Sequence, residues 1–478
     1  MPTFHIEQFG CRATQADAAA IERQLHESGY SPSRSPAEAA VIVVNTCTVT
    51  SSADLQARQA IHLLHRRNPA ARIAVTGCYA QRAPEEVAAL EGVSWVLGNS
   101  HQAELPALLR ASVPFTDAGP SPSSPVAGFF PLASLGAEDL SLAHGPAKIL
   151  TSDIFEQRTL SNSSGASLLA AEDAHTRPIL KIQDGCDHRC AYCVIPFVRG
   201  RSRSLPPEAV LREIHRLCAS GTNEVVLSGI NLGSYGRDLV PRVEFSDLLR
   251  RILDETPLRR LRISSIEPMD ITRDLVRLFA STDHIAHHFH LPLQSGSDRI
   301  LAAMHRWYRA EHYAARVDVL REHLPDAAIG ADVIAGFPGE TPADHSATLS
   351  FIERLPLAYL HVFSFSKRPG TAAARLTGEV SPAILKQRAR ELRALGEAKS
   401  AAFRDSQIGR RVSALTLRHA PRNSSTAWTP AISGNYLRVH VDGHRPPNQM
   451  LEILLHPANG PYLSGRICAP EPAGTHRA

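Results

Sequence analysis

Three cysteines within eight residues, Cys186, Cys190 and Cys193, constrain this chain more than any other feature of its sequence. Their C-x3-C-x2-C spacing lets one tight loop present three thiolates to a single centre. A [4Fe–4S] cluster has four irons, so three ligands leave one iron open. An open iron can chelate the amino and carboxylate groups of S-adenosylmethionine. An electron passed into the sulfonium then yields a 5′-deoxyadenosyl radical, chemistry that belongs to the cofactor. The alternative is a zinc site completed by His188, but zinc more often takes cysteines in pairs spaced two to four apart. The spacing therefore favours the cluster. The loop directly follows residues 179–183, an apolar stretch that reads as a strand.

The chain has 478 residues, which predicts two or three domains. Residues 1–112 read as strands at 4–9, 41–44, 73–75 and 93–97, with helices at 16–27, 55–67 and 85–90 between them. Apolar strands alternating with helices imply a parallel sheet covered on both faces. Residues 113–175 read as a partly disordered linker, because the Pro-, Ser- and Gly-rich run from Thr116 to Pro125 holds neither helix nor ladder. One strand at 148–155 is expected within it. From 176 to 406 the alternation returns, with strands at 179–183, 224–227, 261–263, 287–291, 328–334 and 359–363. Six β/α units predict a partial barrel with its site at the strands' C-terminal ends. Residues 407–470 lack helical periodicity, and strands at 412–417, 436–441 and 451–455 predict a small β-barrel. The fold class is thus α/β, ending in a β module.

Composition narrows the setting. No run of about 18 apolar residues exists, so no membrane span is expected. The first residues lack a basic-then-apolar pattern, so no secretory signal is read. Eight cysteines are too sparse for a disulfide scaffold in so long a chain, which favours a reducing cytoplasm. The net charge of +4 hides an asymmetry, since residues 407–478 carry eight arginines against three acids. A basic terminal module on a near-neutral body suggests a polyanion as partner.

Cys11, Cys47 and Cys78 are scattered in sequence, yet each follows the end of an expected parallel strand. In a parallel sheet such loops lie side by side at one edge. That placement suggests a second cluster, against the alternative of three buried core cysteines. Cys218, beside Ile214 and Leu217 on a helix face, reads as core, and Cys468 as inert.

These residues sit in stretches that resemble the methylthiotransferases, a family of radical S-adenosylmethionine enzymes with two clusters. In the first section the resemblance rests on Gly10-Cys11, Asn45-Thr46-Cys47-Thr48, Thr76-Gly77-Cys78-Tyr79 and Leu97-Gly98-Asn99. In the third it rests on Gln183-Asp184-Gly185-Cys186, Ile195-Pro196, Arg199 to Ser204, Ser264 to Pro268, His290 to Ser297 and Asp332 to Thr341. The stretch Gly229 to Gly236, with His361 to Ser366, looks like the branch that modifies N6-threonylcarbamoyladenosine at position 37 of tRNA. The last section resembles a TRAM domain, an RNA-binding β-barrel, through Asn435 to Val439. Thr14 stands where the family usually has Asn, and the linker is longer than usual.

The resemblance implies two [4Fe–4S] clusters. Cys186, Cys190 and Cys193 would hold the radical-forming one, and Cys11, Cys47 and Cys78 an auxiliary one that delivers sulfur. It implies S-adenosylmethionine as cofactor, with Tyr192 and Gly336 near the adenine and Gly229 and Asn231 near the methionine part. It implies tRNA, an electron donor and a sulfur donor as partners. Two other readings stay open. One is a sister enzyme acting on isopentenyladenosine-37 of tRNA or on a ribosomal-protein aspartate. The other is a non-catalytic two-cluster protein that carries electrons or binds RNA.

Two further features are weighed from the residues. His284, His287, His288 and His290 resemble a metal cluster, and alternation puts His288 and His290 on one face. No cysteine or carboxylate joins them in sequence, which favours structural or surface roles. Arg199, Arg201 and Arg203 follow the cysteine loop and either meet substrate phosphates or lie in solvent.

Overall fold

The computed structural model describes residues 2–112, 147–160, 176–418, 428–458 and 460–468, which form two compact units. The first unit is a six-stranded, all-parallel sheet. Its strands are β1 (Thr3–Gln8), β2 (Ser31–Pro32), β3 (Val41–Thr46), β4 (Arg72–Gly77), β5 (Val93–Leu97) and β6 (Lys148–Leu150), in the order β2-β1-β3-β4-β5-β6. The side-chain period of two sorts β3 between two cores. Val41 and Val43 pack with Ile21 and Leu25 of the helix Arg12–Glu27. Ile42 and Val44 pack with Ala57, Ile61 and Leu64 of the helix Ser51–Arg67. The strand order reverses direction between β1 and β3, the kind of edge where doubly wound sheets bind ligands.

The expected strand at 148–155 stops at Leu150. The Asp153 carboxylate accepts the Phe155 N–H at 2.9 Å, and the chain turns into the short 3-10 segment Ile154–Glu156. β6 pairs with β5, so this stretch belongs to the first sheet although it lies within the expected linker. The rest of that linker lies outside the described residues.

The second unit begins with β7 (Ile179–Lys181), β8 (Gln183–Asp184), β9 (Arg203–Ser204), β10 (Glu224–Ser228) and β11 (Arg260–Ile263). It continues with β12 (His288–His290), β13 (Ala328–Ala335) and β14 (Tyr359–Ser364). All neighbours in the series β7-β10-β11 and β12-β13-β14 are parallel, and parallel bridges from Leu261 and Ser265 join the two halves. The result is the six-stranded partial barrel. Leu261, Ile263, Phe289, Ile329, Ala331 and Val333 face the surrounding helices in one core. The alternate residues, among them Arg262, His288, His290 and Asp332, face the inside.

The C-terminal module is a closed five-stranded barrel: β15 (Arg411–Thr416), β16 (Trp428–Ser433), β17 (Arg438–Asp442), β18 (Met450–His456) and β19 (Leu463–Ile467), in the order β15-β16-β17-β19-β18. Sequence periodicity indicates three of these and misses β16 and β19, which carry a proline and a glycine respectively. The expected strand at 436–441 starts later, because Tyr436 takes a left-handed φ of 68° in the preceding turn.

This module closes the N-terminal end of the partial barrel. Arg260 donates to the carbonyls of Ser413 (3.1 Å) and Ile432 (3.0 Å), and Arg262 to those of Ser433 (2.9 Å) and Gly434 (3.0 Å). Both guanidinium groups pair with the fully buried Glu224 at 2.6 and 2.8 Å. Burial raises the Glu224 carboxyl, but Arg262, Arg260 and Arg177 outweigh it and hold it down to about 2. Tyr436 stacks on His288 with ring centroids 4.3 Å apart.

Candidate active site

The first triad forms because three neighbouring strands end together. Thr46 and Gly77 are register partners, so Cys47 and Cys78 emerge side by side from β3 and β4. On the other side of β3, the Phe9 N–H donates to Asn45 O at 3.0 Å, and the chain then turns at Gly10. Gly10 has φ +106°, a conformation that side chains rarely adopt, and a Cβ on it would lie 2.6 Å from Cys47 Cβ and 2.9 Å from its Sγ. Cys11 is exposed and caps the helix Arg12–Glu27, whereas Cys47 and Cys78 are buried. Thr14 fastens this corner. Its hydroxyl donates to Cys11 O at 2.7 Å, and its carbonyl accepts the Asn45 amide at 2.8 Å.

The second triad sits on a loop clasped at both ends. β8 pairs antiparallel with β9, which closes residues 185–202 into a loop. The expected single strand at 179–183 is therefore two, β7 in the barrel and β8 in the clasp. Gln183 is wholly buried and locks the loop. Its amide donates to Gly185 O at 2.8 Å and Ser202 Oγ at 3.0 Å, and its carbonyl oxygen accepts the Asn231 N–H at 2.8 Å. Gly185 has φ +73°, and a Cβ there would collide with the carbonyl oxygen of Arg201. Asp184 is buried between Lys181 (2.9 Å) and Arg199 (3.0 Å). Arg199 and its neighbours outweigh burial and keep this carboxyl well below the usual range.

The three cysteines are half-buried as residues. Burial pushes the free Cys186 thiol up to about 11 and the Cys193 thiol up to about 12, so a metal that binds thiolate must displace protons there. Cys190 Sγ accepts a hydrogen bond from Arg306 at 3.4 Å. Arg306 is held by Glu267 and by the Tyr308 hydroxyl at 3.2 Å. Tyr308 is tied in turn to the carbonyls of Pro292 and Leu293.

The other expected site residues fall on two sides of this loop. Gly229 and Asn231 follow β10. A Cβ on Gly229 would press on the Gln183 side chain, and Asn231 has a buried amide oxygen without a hydrogen-bond partner. Asn231 lines a cavity of about 160 Å³ with Asp187, His188, Ser202 and Ser234. Tyr192 packs in an apolar cluster with Met304, Ile334, Phe337 and Phe365. Gly336 follows β13 and donates its N–H to Glu340 at 2.8 Å. The expectation for the arginines needs correction. Arg199 and Arg203 are buried and pinned to the loop, Arg203 donating to Arg199 O at 2.7 Å, so only Arg201 is exposed.

A family model described as "Radical SAM superfamily" matches residues 180–352, and one described as "Uncharacterized protein family UPF0004" matches residues 3–98. A threonylcarbamoyladenosine tRNA methylthiotransferase, MtaB, from Aquifex aeolicus is 33% identical over 450 residues, covering 94% of this chain and 99% of the relative. This chain belongs to the methylthiotransferase family of radical S-adenosylmethionine enzymes. The MtaB of Bacillus subtilis is 31% identical over 98% of the chain and 96% of its own length. A tRNA-2-methylthio-N(6)-dimethylallyladenosine synthase from Moorella thermoacetica is 33% identical over 86% of each. Among solved structures, the radical S-adenosylmethionine methyltransferase TsrM from Kitasatospora setae superposes with a TM-score of 0.52 at 17% identity, over 78% of this chain and 77% of that one, a likeness of fold.

For a radical S-adenosylmethionine methylthiotransferase, a [4Fe–4S] cluster and S-adenosylmethionine follow from the family. The residues present fit both. Three sulfurs share one clasped loop, and an unpartnered amide oxygen lies beside it. Sequence reasoning missed Gln183, Glu267, Arg306 and Tyr308 as parts of this methylthiotransferase site. Gln183 and Glu267 lie inside stretches that carry the resemblance. Arg306 gave no signal, because it reaches Cys190 across 116 residues of chain.

Proposed function

We propose that this enzyme adds a methylthio group to C2 of N6-threonylcarbamoyladenosine at position 37 of tRNA. The observation that carries the reading is the clasped three-cysteine loop at the C-terminal end of the partial barrel, in a chain aligned end to end with relatives of that name. The stretch Gly229 to Gly236 supports the same branch. Cys186, Cys190 and Cys193 hold the radical-forming cluster, and Cys11, Cys47 and Cys78 hold an auxiliary cluster. With S-adenosylmethionine bound, the first supplies one-electron cleavage of the sulfonium and so removal of hydrogen from C2, and the second supplies the sulfur that becomes the methylthio group.

The chain's own residues bind and orient. We assign Asn231 and Gly229 to the methionine part of S-adenosylmethionine and Tyr192 and Gly336 to its adenine, as the resemblance implies. Arg306 donates to a cluster ligand and so adjusts the charge that the loop can carry. The C-terminal barrel contacts the RNA. Trp428, His440 and Tyr462 stack in series at 3.7 and 4.3 Å on its surface, and the exposed Arg438 lies on the same face of β17 as His440. Aromatic rings stack on bases, and arginines neutralise phosphates. The work is done in the cytoplasm, with electrons and replacement sulfur from separate donors. Among the described residues, no helix is long and apolar enough to cross a membrane.

The test is mass analysis of position 37 in tRNA from a strain lacking the gene, with and without the restored enzyme. Threonylcarbamoyladenosine should accumulate in the deletion and regain its methylthio group on restoration. Loss of methylthio groups from isopentenyladenosine instead would reassign the substrate.

A further inference from the structure

We propose that His290, Asp332 and His361 form a site for a divalent first-row transition-metal ion, separate from both cysteine triads. The three residues come from adjacent strands β12, β13 and β14 and share the inner face. Asp332 and His361 are register partners, and His290 pairs with Gly330, two residues before Asp332. One ligand atom from each lies within 4.8 Å of the other two. His290 Nε2 is 3.0 Å from Asp332 Oδ1, and His361 Nδ1 is 3.3 Å from the same oxygen. The first two atoms are buried and face each other, with no other polar group among the described residues satisfying either one. An ion seated among the three would satisfy both buried atoms and the His361 nitrogen at once. Of the four histidines weighed from sequence, His284, His287 and His288 hold structural contacts as expected, whereas His290 is met by a carboxylate, Asp332, from the neighbouring strand.

The surroundings suit coordination. His290 Nδ1 is 2.7 Å from Ser265 Oγ, a contact that fixes the ring and leaves Nε2 for a metal. Two imidazoles and one carboxylate, with no thiolate, select Mn2+, Fe2+, Co2+ or Zn2+ over Cu+. His361 is 55% exposed, so an ion can enter and keep open positions toward the inside of the barrel.

The test is a Mn2+ titration of the full-length holoenzyme with its [4Fe–4S] clusters oxidised and diamagnetic, following the free-ion signal by electron paramagnetic resonance. One Mn2+ per chain should bind, and Zn2+ should displace it, as the general affinity order requires. His361→Gln and Asp332→Asn should each weaken Mn2+ binding by more than about tenfold, and Ser265→Ala by about tenfold to a hundredfold. Iron content should not change in any of them. His361 is exposed enough that its variant should fold, and circular dichroism checks this. No Mn2+ retained by the unaltered enzyme, or equal retention by His361→Gln, would overturn the site.

Discussion

Gly10 and Arg306 show how single residues set the two cysteine sites. Gly10, at a positive φ, leaves no room for a side chain beside Cys47. Gly10→Ala should displace Cys47 and remove about half the iron of the reconstituted enzyme, that of the auxiliary site. Methylthiolation should be lost while S-adenosylmethionine is still cleaved to 5′-deoxyadenosine. Full iron retention with normal product would show that Cys47 does not hold a cluster. Arg306 brings a positive charge and an N–H to Cys190 Sγ. Both favour the more negative, reduced state of a cluster on that sulfur. Arg306→Gln should therefore lower the midpoint potential of the radical-site cluster, read by a redox titration of its paramagnetic signal. An unchanged potential would mean that the arginine only props up the loop. The six cysteines were legible in sequence because strand-end placement and tight spacing are local properties. Arg306 and Tyr308 were not, because only closure of the barrel brings them to the loop, and Glu267 stood in a matching stretch with nothing local to show its role.

At the scale of elements, the decisive contact is the one between β11 and the C-terminal barrel. Arg260 and Arg262 each donate to two backbone carbonyls of that barrel while sharing Glu224. Removing one partner from a buried ion network leaves an uncompensated charge and costs about 3–5 kcal/mol. Arg262→Met should lower stability by that order in chemical denaturation and make the C-terminal barrel a site of early proteolysis. Unaltered stability and protease resistance would contradict the docking role. It also follows that deleting residues 407–478 strips four carbonyl acceptors from two buried arginines. An inactive truncation of that kind would report a damaged barrel as well as a missing grip on RNA. Elements with strong periodicity, such as β3 and the helix Ser51–Arg67, were readable from sequence. β16 and β19 were not, because a proline and a glycine dilute their alternation and closure of the small barrel supplies what propensity lacks.

For the molecule as a whole, the charge asymmetry becomes a surface. Arg438, Arg445 and Arg466 are all exposed on the C-terminal barrel. Replacing the three by glutamine should weaken tRNA binding at low salt. It should also reduce the slope of log affinity against log salt by roughly 2, since each phosphate left unneutralised on a single strand accounts for about 0.7. These positions do not touch the buried network at Glu224, so the radical chemistry should survive; an unchanged slope would place the RNA grip elsewhere. The docking beneath the barrel floor has one more consequence. The cysteine loop lies past the C-terminal ends of the strands, and the C-terminal barrel is docked on their N-terminal ends. The spacing between that barrel and the cysteine loop is thus set by strand length, about 25 Å for the eight residues of β13. On the proposed reading, with RNA held at that barrel, the enzyme would work as a caliper: the target nucleotide would be reached by distance from the held segment, and strand length would set which nucleotide that is.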